Sequence, residues 1–553
     1  MMFRLSGPLT VLLAMGSLFA ATVSAEGSAT NQAQEVDKIF APYDKPDSPG
    51  CALGVVRNGE FLYKRGYGSA SLELNVPLTP QSIFYMASAS KQFTAASMVL
   101  AAEQGYLSLD DDVRKYVSEM PTYGYVITLR QMLHHTSGYR DILGLVGLAG
   151  EHIEDIHSTA ELLDLVSRQQ NLNNVPGDKY LYSNTNYWLM SVIIQRATGK
   201  SLAQFAEENI FRPLDMTHTR FYDDRTAVVR GRVAAYKPLA GGGFAMDWNT
   251  NFDEVGAGGL MSSVEDLLNW DRNFYANKLG KGTLLQELQT PGKLNSGKKT
   301  DYALGLQVST YRGLPIVEHE GGLFGYRTEL LRFPQQNFSV ICLCNLATVR
   351  PRILANQVAD IYLKGLLSPE RHAEIVHVDP QPFAGQYRNS KTHSVLDVSA
   401  VEGNLVINRG RWKATGPREF VNDWGQQISF EVVASKPMVL TAADPGEQPV
   451  MRRFERLQPL KLSETDLAQY IGPYTSSELQ ATYRFAEKAG QLTMTVNWEE
   501  PSVLTPSIRD EFQTPEGMSI VFHRDSSGRV FGCDLFADRV AQIAFARNAP
   551  SNQ

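Results

Sequence analysis

The last third of the chain repeats itself, and this repeat limits what the chain can fold into. The segment Phe383–Asn389 (FAGQYRN) is echoed by Tyr470–Ser476 (YIGPYTS), and each is followed by an alternating strand, a glycine turn and another strand. A period of roughly 90 residues is typical of a small antiparallel β-barrel rather than of a short solenoid repeat. We therefore expect two tandem barrels, with one irregular β-sandwich as the alternative.

The chain ahead of the repeat has a different pattern. Two short apolar runs joined by Asn58-Gly59 predict a β-hairpin. A mostly helical stretch follows, strand patterns return between residues 304 and 344, and Val349–Leu367 has the pattern of a closing helix. This order predicts an α+β domain whose sheet is assembled from both ends of the segment.

The length of 553 residues is that of a chain with roughly two to four domains. The composition shifts near Leu367, where alternating strands begin to dominate. We divide the chain into a signal peptide (residues 1–25), an α+β domain (26–370), a first barrel (371–460) and a second barrel (461–553).

The N-terminus predicts export. Arg4 supplies a positive start, residues 5–23 form a nearly uncharged apolar run, and Val23-Ser24-Ala25 has the small residues that signal peptidase accepts. A membrane anchor is the alternative, but the run contains Pro8 and no charged flank follows it. No later apolar run approaches the ~20 residues that span a bilayer. We expect a periplasmic or secreted protein without a transmembrane segment after cleavage.

Composition narrows the possible partners. The net charge of -7 is modest, and no basic face or aromatic-rich basic stripe is visible, so nucleic-acid binding has no support. Four cysteines are too few for a disulfide scaffold. Cys342 and Cys344 lie in a buried-strand pattern, and we expect them to act as small hydrophobic residues. Whether any disulfide forms stays open, as does the oligomeric state.

The sharpest chemical signal is Ser88-Ala89-Ser90-Lys91 at the start of an apolar helix. This spacing puts Ser88 and Lys91 on one helix face, near the positive end of the helix dipole. A serine hydroxyl is a poor nucleophile and needs a base close by, a role that a lysine can take. Alone, the pair is more typical of a helix N-cap serine with an exposed lysine.

A second signal is Tyr182-Ser183-Asn184, which follows a turn just ahead of a helix. From a non-helical loop, Tyr182 and Asn184 can point into one cleft, where the phenol relays a proton and the amide holds a substrate carbonyl. Taken singly, the same residues are typical of an aromatic packing residue and a helix cap.

The third signal is His319-Glu320-Gly321-Gly322 at the end of a predicted strand. On an edge strand His319 faces the cleft, and Gly321 lets a substrate backbone approach closely. A backbone N–H of this strand can pair with that of Ser88 as an oxyanion hole. Metal binding by His319 is the rival interpretation, but no ligand cluster accompanies it, and we expect no metal and no cofactor.

The three motifs in this order resemble the class C β-lactamase and DD-peptidase-like branch of the penicillin-recognising serine hydrolases. Further stretches look like that family: Leu133–Gly138 (LHHTSG), Ile210–Met216 (IFRPLDM) and Gly256–Ser263 (GAGGLMSS). The resemblance spans residues 36–367. It implies a two-lobed catalytic domain with the motifs in the cleft between the lobes.

Roles carried over from the family go to the matching residues. Ser88 would form the acyl-enzyme, with Lys91 and Tyr182 as the base pair. Asn184 would position the substrate amide, and the N–H groups of Ser88 and Gly322 would line the oxyanion hole. One position departs from the β-lactamase pattern: His319 stands where that pattern has a lysine, and a histidine is largely neutral near neutral pH.

A His-x-Gly third motif and two trailing barrels, which we expect to be lipocalin-like, are similar to the D-aminopeptidase architecture. In that architecture a barrel loop reaches the active site, and the sequence identifies no such loop here. The resemblance implies a hydrolase of peptides or amides of D-amino acids, with small molecules, short peptides and peptidoglycan fragments as candidate substrates. DD-carboxypeptidase or esterase activity is the alternative, β-lactamase activity is less favoured, and a non-catalytic peptide- or cell-wall-binding protein is the alternative of another class.

Overall fold

The computed structural model describes residues 31–247, 255–369, 374–408, 410–422, 426–431, 438–443, 451–497 and 499–548. The predicted signal peptide, residues 1–25, lies outside the described residues. Within them, no helix combines the length and the apolar character that a membrane span requires.

The α+β domain is built on a six-stranded antiparallel sheet of order β10-β11-β12-β13-β1-β2. The first two strands are joined by the predicted Asn58-Gly59 turn, in which both residues have positive φ. The strands of this domain are β1 (Cys51–Arg57), β2 (Glu60–Tyr67), β3 (Ser69–Ser71), β4 (Val76–Pro77), β5 (Phe84–Tyr85), β6 (Arg220–Phe221), β7 (Tyr236–Pro238), β8 (Phe244–Met246), β9 (Leu260–Ser262), β10 (Gln307–Tyr311), β11 (Leu314–Leu323), β12 (Tyr326–Phe333) and β13 (Phe338–Cys344).

Helices cover the sheet and form a second lobe beside it. Residues 31–40 are helical (α1), and the later helices are α2 (Lys91–Glu103), α3 (Leu129–Leu133), α4 (Ile142–Leu148), α5 (Thr159–Ser167), α6 (Asn184–Thr198), α7 (Leu202–Ala206), α8 (Val264–Ala276), α9 (Leu284–Gln289), α10 (Pro351–Tyr362) and, beyond this domain, α11 (Glu464–Leu467). Apolar side chains of α1 and α10 pack on one face of the sheet, and those of α2 and α8 on the other. The predicted α+β domain is confirmed, and its sheet combines strands from the start and the end of that segment.

One cysteine expectation is wrong. Cys344 is bonded to Cys51 in a disulfide, because β1 and β13 are neighbours and place these two residues directly opposite each other. Cys342 and Cys533 are buried free thiols, in keeping with small hydrophobic residues. The spacing of Cys342 and Cys344 gave no sign of a partner 293 residues away in the sequence.

The first barrel is a closed antiparallel sheet in which each strand pairs with the next and the last pairs with the first. Its strands are β14 (Gly385–Arg388), β15 (Val395–Val401), β16 (Asn404–Ile407), β17 (Gly410–Ala414), β18 (Glu419–Asn422), β19 (Gln427–Glu431), β20 (Val439–Ala443) and β21 (Met451–Arg456). Its apolar interior forms a hydrophobic core of its own.

The second barrel is a nine-stranded sheet that curls until its first strand pairs with its last. Its strands are β22 (Gly472–Ser476), β23 (Ala481–Lys488), β24 (Gln491–Val496), β25 (Ser502–Val503), β26 (Thr505–Ile508), β27 (Glu511–Gln513), β28 (Ser519–Arg524), β29 (Val530–Ala537) and β30 (Val540–Arg547). The expectation of two barrels is confirmed, whereas the exact boundaries at 370/371 and 460/461 stay predictions.

The sequence repeat has a structural counterpart at the start of each barrel. Tyr387 and Tyr474 are fully buried, and each hydroxyl donates to the carbonyl four residues earlier, at 2.9 Å and 3.0 Å. In each barrel an arginine at the end of the last strand, Arg456 or Arg547, donates to a carbonyl just before the first strand. The repeated residues therefore tie the two ends of each barrel together.

The second barrel and the α+β domain share one continuous hydrophobic core. A buried ion pair crosses the junction: Arg140 Nη1 lies 2.5 Å from Glu478 Oε2, and their side chains are 1% and 2% exposed. Arg140 also donates to the carbonyls of Ala541 and Gln542 in the second barrel. The α+β domain and the second barrel are thus packed as one unit.

We expect Glu478→Ala to destabilise the protein strongly. The substitution leaves the buried guanidinium of Arg140 without its carboxylate, and breaking a buried pair in this way costs about 3–5 kcal/mol. The melting temperature of the variant, followed by circular dichroism, measures this loss.

Glu119→Ala is the matched control. Glu119 also pairs with an arginine, Arg196, but the two side chains are 43% and 34% exposed. Its loss should cost at most about 1 kcal/mol. Equal melting temperatures for the Glu478 and Glu119 variants would contradict the role given to the buried pair.

Candidate active site

Ser88 lies in a tight turn between strand and helix. The turn is a 3₁₀ segment, Ala87–Ser90, that connects β5 to α2. Ala87 has a φ of +47°, a left-handed conformation that costs a non-glycine residue about 1–3 kcal/mol. The Thr328 hydroxyl fixes this turn from β12 by donating to the Met86 carbonyl at 3.0 Å. Ser88 therefore lies in a strained turn that the Thr328 hydrogen bond holds in place.

Lys91 is fully buried directly behind Ser88. Its Nζ donates to three oxygens: Ser88 Oγ at 3.1 Å, Asn184 Oδ1 at 2.9 Å and the Ala257 carbonyl at 2.6 Å. The distance to Ser88 is within the range over which a proton passes between a nucleophile and its base. The predicted pairing of serine and lysine is thus present in the geometry.

Tyr182 stands beside the same amine. Its ring centroid is 4.8 Å from Lys91 Nζ, 4.2 Å from the ring of His135 and 4.9 Å from the guanidinium carbon of Arg539. Two cations therefore lie close to one tyrosine ring. A positive environment of this kind favours negative charge on the phenol oxygen during proton transfer.

Asn184 opens helix α6, whereas the sequence predicted a loop position for it. Its backbone N–H donates to Asp141 Oδ2 at 2.7 Å, and Asp141 caps the neighbouring helix α4. This contact fixes the start of α6, and with it the side-chain oxygen that accepts from Lys91.

His319 is a neutral histidine inside the protein. Burial and, after it, the positive charge of Lys91 lower the pKa of His319 to about 3. Its Nδ1 donates to the Glu320 carbonyl at 2.6 Å, so its Nε2 accepts from the Tyr302 hydroxyl at 2.9 Å. Both ring nitrogens thus have partners within the protein, and His319 supplies no positive charge to the cleft.

The second half of β11 is an edge strand, as expected. β10 pairs with β11 only as far as Glu318, so the stretch from His319 onward has no neighbour on the cleft side in the described sheet. Gly321 sits against the turn that carries Ser88, where a Cβ would lie 2.2 Å from the Met86 carbonyl oxygen. Glycine at 321 lets the strand and the turn approach this closely.

These residues border one cavity of about 660 Å³. The predicted site residues that line it are Ser88, Tyr182, Asn184, His319, Gly321 and Gly322, while Lys91 lies buried behind Ser88. The structure therefore brings together all seven predicted site residues.

Sequence reasoning missed three contributors. Ala257 accepts from Lys91 and belongs to the GAGGLMSS stretch, whose resemblance was noted without a role. Asp141 fixes Asn184, and an acidic residue directly before an apolar helix was its only signal. Arg539 lines the cavity from the second barrel, and nothing in the sequence links it to the motifs.

Among the described residues, one group of side chains has ligand atoms close enough together to hold a metal ion. The sulfurs of Cys51, Cys342 and Cys344 lie within 4.8 Å of one another, but two of them form the disulfide. This cluster lies among the core residues on the α1/α10 face of the sheet rather than among those that line the cavity.

Comparison with known proteins identifies relatives of this chain. A family model described as Beta-lactamase matches residues 36–363. The D-aminopeptidase of Gluconobacter oxydans is 29% identical over 360 residues, which cover 65% of this chain and 66% of that protein, just under two thirds of its length. The D-aminopeptidase of Brucella melitensis biotype 2 is 26% identical over 513 residues, 88% of this chain and 93% of that protein.

Solved structures share the fold. The octameric penicillin-binding protein homologue from Pyrococcus abyssi superposes with a TM-score of 0.55 and 19% identity, covering 85% of this chain and 98% of that one. The coverage extends well beyond the catalytic domain.

We expect Gly321→Ala to slow covalent modification of Ser88 by a serine-directed fluorophosphonate by about 100-fold, because the added methyl must push the Ser88 turn out of place and small displacements of reacting groups have effects of this size. Mass spectrometry of the labelled protein over time gives the rate.

Gly322→Ala is the neighbouring control, since a Cβ there meets only the flexible side chain of Arg327, at 3.6 Å. Its labelling rate should stay within a few-fold of wild type. Equal rates for the two variants would contradict the close approach assigned to Gly321.

Proposed function

The chain belongs to the Beta-lactamase family of serine hydrolases, and from this premise we propose that it hydrolyses peptides or amides of D-amino acids through an acyl-enzyme on Ser88. The observation that carries the proposal is the buried Lys91 amine 3.1 Å from the Ser88 hydroxyl, in the cavity lined by Tyr182 and Asn184. The D-aminopeptidase relatives support the substrate class.

Acylation follows from these contacts. The Lys91–Tyr182 pair, once it has given up one proton, takes the Ser88 proton while Oγ attacks the substrate carbonyl carbon. The N–H groups of Ser88 and Gly322 stabilise the oxygen that becomes negative. The tetrahedral intermediate then breaks its carbon–nitrogen bond, and the proton passes to the departing amine.

Deacylation repeats these steps with water as the nucleophile. The same base removes a proton from water, whose oxygen attacks the ester carbonyl on Ser88. The carbon–Oγ bond breaks, Ser88 regains its proton, and a carboxylic acid leaves. Asn184 keeps the substrate amide in register during acylation, because its side chain is held through Lys91 and its backbone through Asp141.

The neutral state of His319 makes β-lactamase activity the less favoured reading. A lysine at this position offers a permanent charge for a substrate carboxylate, and His319, with a pKa of about 3, does not. DD-carboxypeptidase and esterase activity use the same acyl-enzyme and stay alternatives. A non-catalytic binding role would not require a buried amine aimed at a serine.

We also propose that the protein works outside the cytoplasm. The apolar N-terminal run with its small-residue cleavage site supports export. The Cys51–Cys344 disulfide supports it as well, since structural disulfides persist chiefly in oxidising compartments.

We expect the mature protein to release nitroaniline from D-alanine p-nitroanilide, and Ser88→Ala to lower kcat/KM by about 10³-fold or more because it removes the nucleophile. The L-alanine compound should be turned over much more slowly. Absorbance of the released nitroaniline measures both.

Ser97→Ala, in the helix that follows the Ser88 turn, is the control. Ser97 is buried and donates to the Phe93 carbonyl, away from the cavity lining, so its loss should leave the rate close to wild type. Equal turnover of D- and L-substrates would contradict the proposed substrate class, and activity that survives Ser88→Ala would contradict the mechanism.

A further inference from the structure

A hairpin of the second barrel reaches into the catalytic cleft. Asp538 and Arg539 form the turn between β29 and β30, and the Arg539 carbonyl accepts from the Asp141 N–H at 3.1 Å and from Asn173 Nδ2 at 2.8 Å. Asn173 Oδ1 in turn accepts from the Ala541 N–H at 2.8 Å. These bonds fix the hairpin tip to the segments that position Asn184.

The side chain of Arg539 is directed at the reactive centre. Its guanidinium carbon lies 4.9 Å from the ring centroid of Tyr182, and the residue borders the same cavity as Ser88. The side chain is 40% exposed. Its acidic neighbour Asp538 lies 3.6 Å away and is 89% exposed, so water screens that attraction. The guanidinium remains accessible to a ligand in the cleft.

The charged groups around the cavity are mainly positive. Among the described lining residues, four arginines (Arg327, Arg350, Arg352, Arg539) face one acid, Glu320. Arg352 pairs with the buried Glu318. Arg327 donates to backbone carbonyls, and these hydrogen bonds do not neutralise the charge of Arg327. A substrate that enters this cleft meets an excess of positive charge.

We propose that Arg539 selects substrates that carry a carboxylate, which it binds while the scissile carbonyl lies at Ser88. A guanidinium presents a planar pair of N–H donors that matches a carboxylate, and such charge-assisted bonds are about twice as strong as neutral ones. The cation absent from position 319 is thereby supplied by the second barrel. This inference rests on the proposed function and adds the charge of its substrate.

Two sources can supply the carboxylate: the C-terminal α-carboxylate of a D-peptide, or the side chain of an acidic D-residue. Two substrate pairs separate them. N-acetyl-D-alanyl-D-alanine is compared with its C-terminal amide, and D-aspartate p-nitroanilide with D-asparagine p-nitroanilide. Within each pair only the charge changes, and the ratio of the two kcat/KM values is the readout.

We expect the charged member to be preferred about tenfold or more in at least one pair, and Arg539→Gln to reduce that ratio about 10- to 100-fold. Arg539→Lys keeps the charge but loses the planar fork, so its ratio should lie between. Arg529→Gln is the matched control: Arg529 is an arginine of the same barrel, 78% exposed and paired with Asp525, away from the cavity lining. Its ratio should equal that of wild type.

Protection of Ser88 from covalent labelling tests the inference when turnover is too slow to measure. N-acetyl-D-alanine should protect Ser88 from fluorophosphonate better than N-acetyl-D-alanine amide does, and Arg539→Gln should remove the difference. Where turnover is measurable, a wild-type substrate ratio near one in both pairs overturns this inference alone; where it is too slow to measure, labelling of Ser88 with no such difference does. Absence of any labelling of Ser88 overturns the proposed function, and the inference with it.

Discussion

A buried lysine amine needs hydrogen-bond acceptors within the protein, and the site is organised around that requirement. Lys91 obtains three acceptors from three separate parts of the chain: the turn of Ser88, the start of α6 at Asn184, and the Ala257 carbonyl. Polar groups removed from water are costly unless they are paired. The three segments must therefore converge on one point, and that convergence places the nucleophile, its base and the substrate-positioning amide together.

The second barrel is part of the same construction. The Arg140–Glu478 pair and the shared hydrophobic core join it to the catalytic domain, and Arg140 immediately precedes Asp141, which holds Asn184. The hairpin that carries Arg539 is bonded to the same segment. The first barrel has a hydrophobic core of its own, and none of its described residues lines the cavity. The two barrels share a repeat in sequence but differ in their relation to the site.

Local patterns predicted most of the fold and of the site. The Ser88–Lys91 spacing, the Asn58-Gly59 turn and the repeated barrel starts depend on residues close together in the chain, where helix and strand periodicity apply. Other features depend on which distant segments of the chain meet: the disulfide of Cys51, the ion pair of Glu478 and the position of Arg539. Local patterns in a single sequence do not predict such contacts. The chain's resemblance to D-aminopeptidases raised the idea of a barrel loop in the site, but only the structure identifies the hairpin.

Whether Lys91 activates Ser88 is tested most directly by Lys91→Met, which removes the amine while keeping an unbranched side chain. The quantity to measure is the rate of fluorophosphonate attachment to Ser88. We expect peptide mapping to find the wild-type adduct on Ser88, and the variant, shown by circular dichroism to be folded, to label about 10²-fold or more slowly, the size of a general-base contribution. Labelling of the variant at the wild-type rate, or an adduct on another residue, would contradict the activation of Ser88 by Lys91.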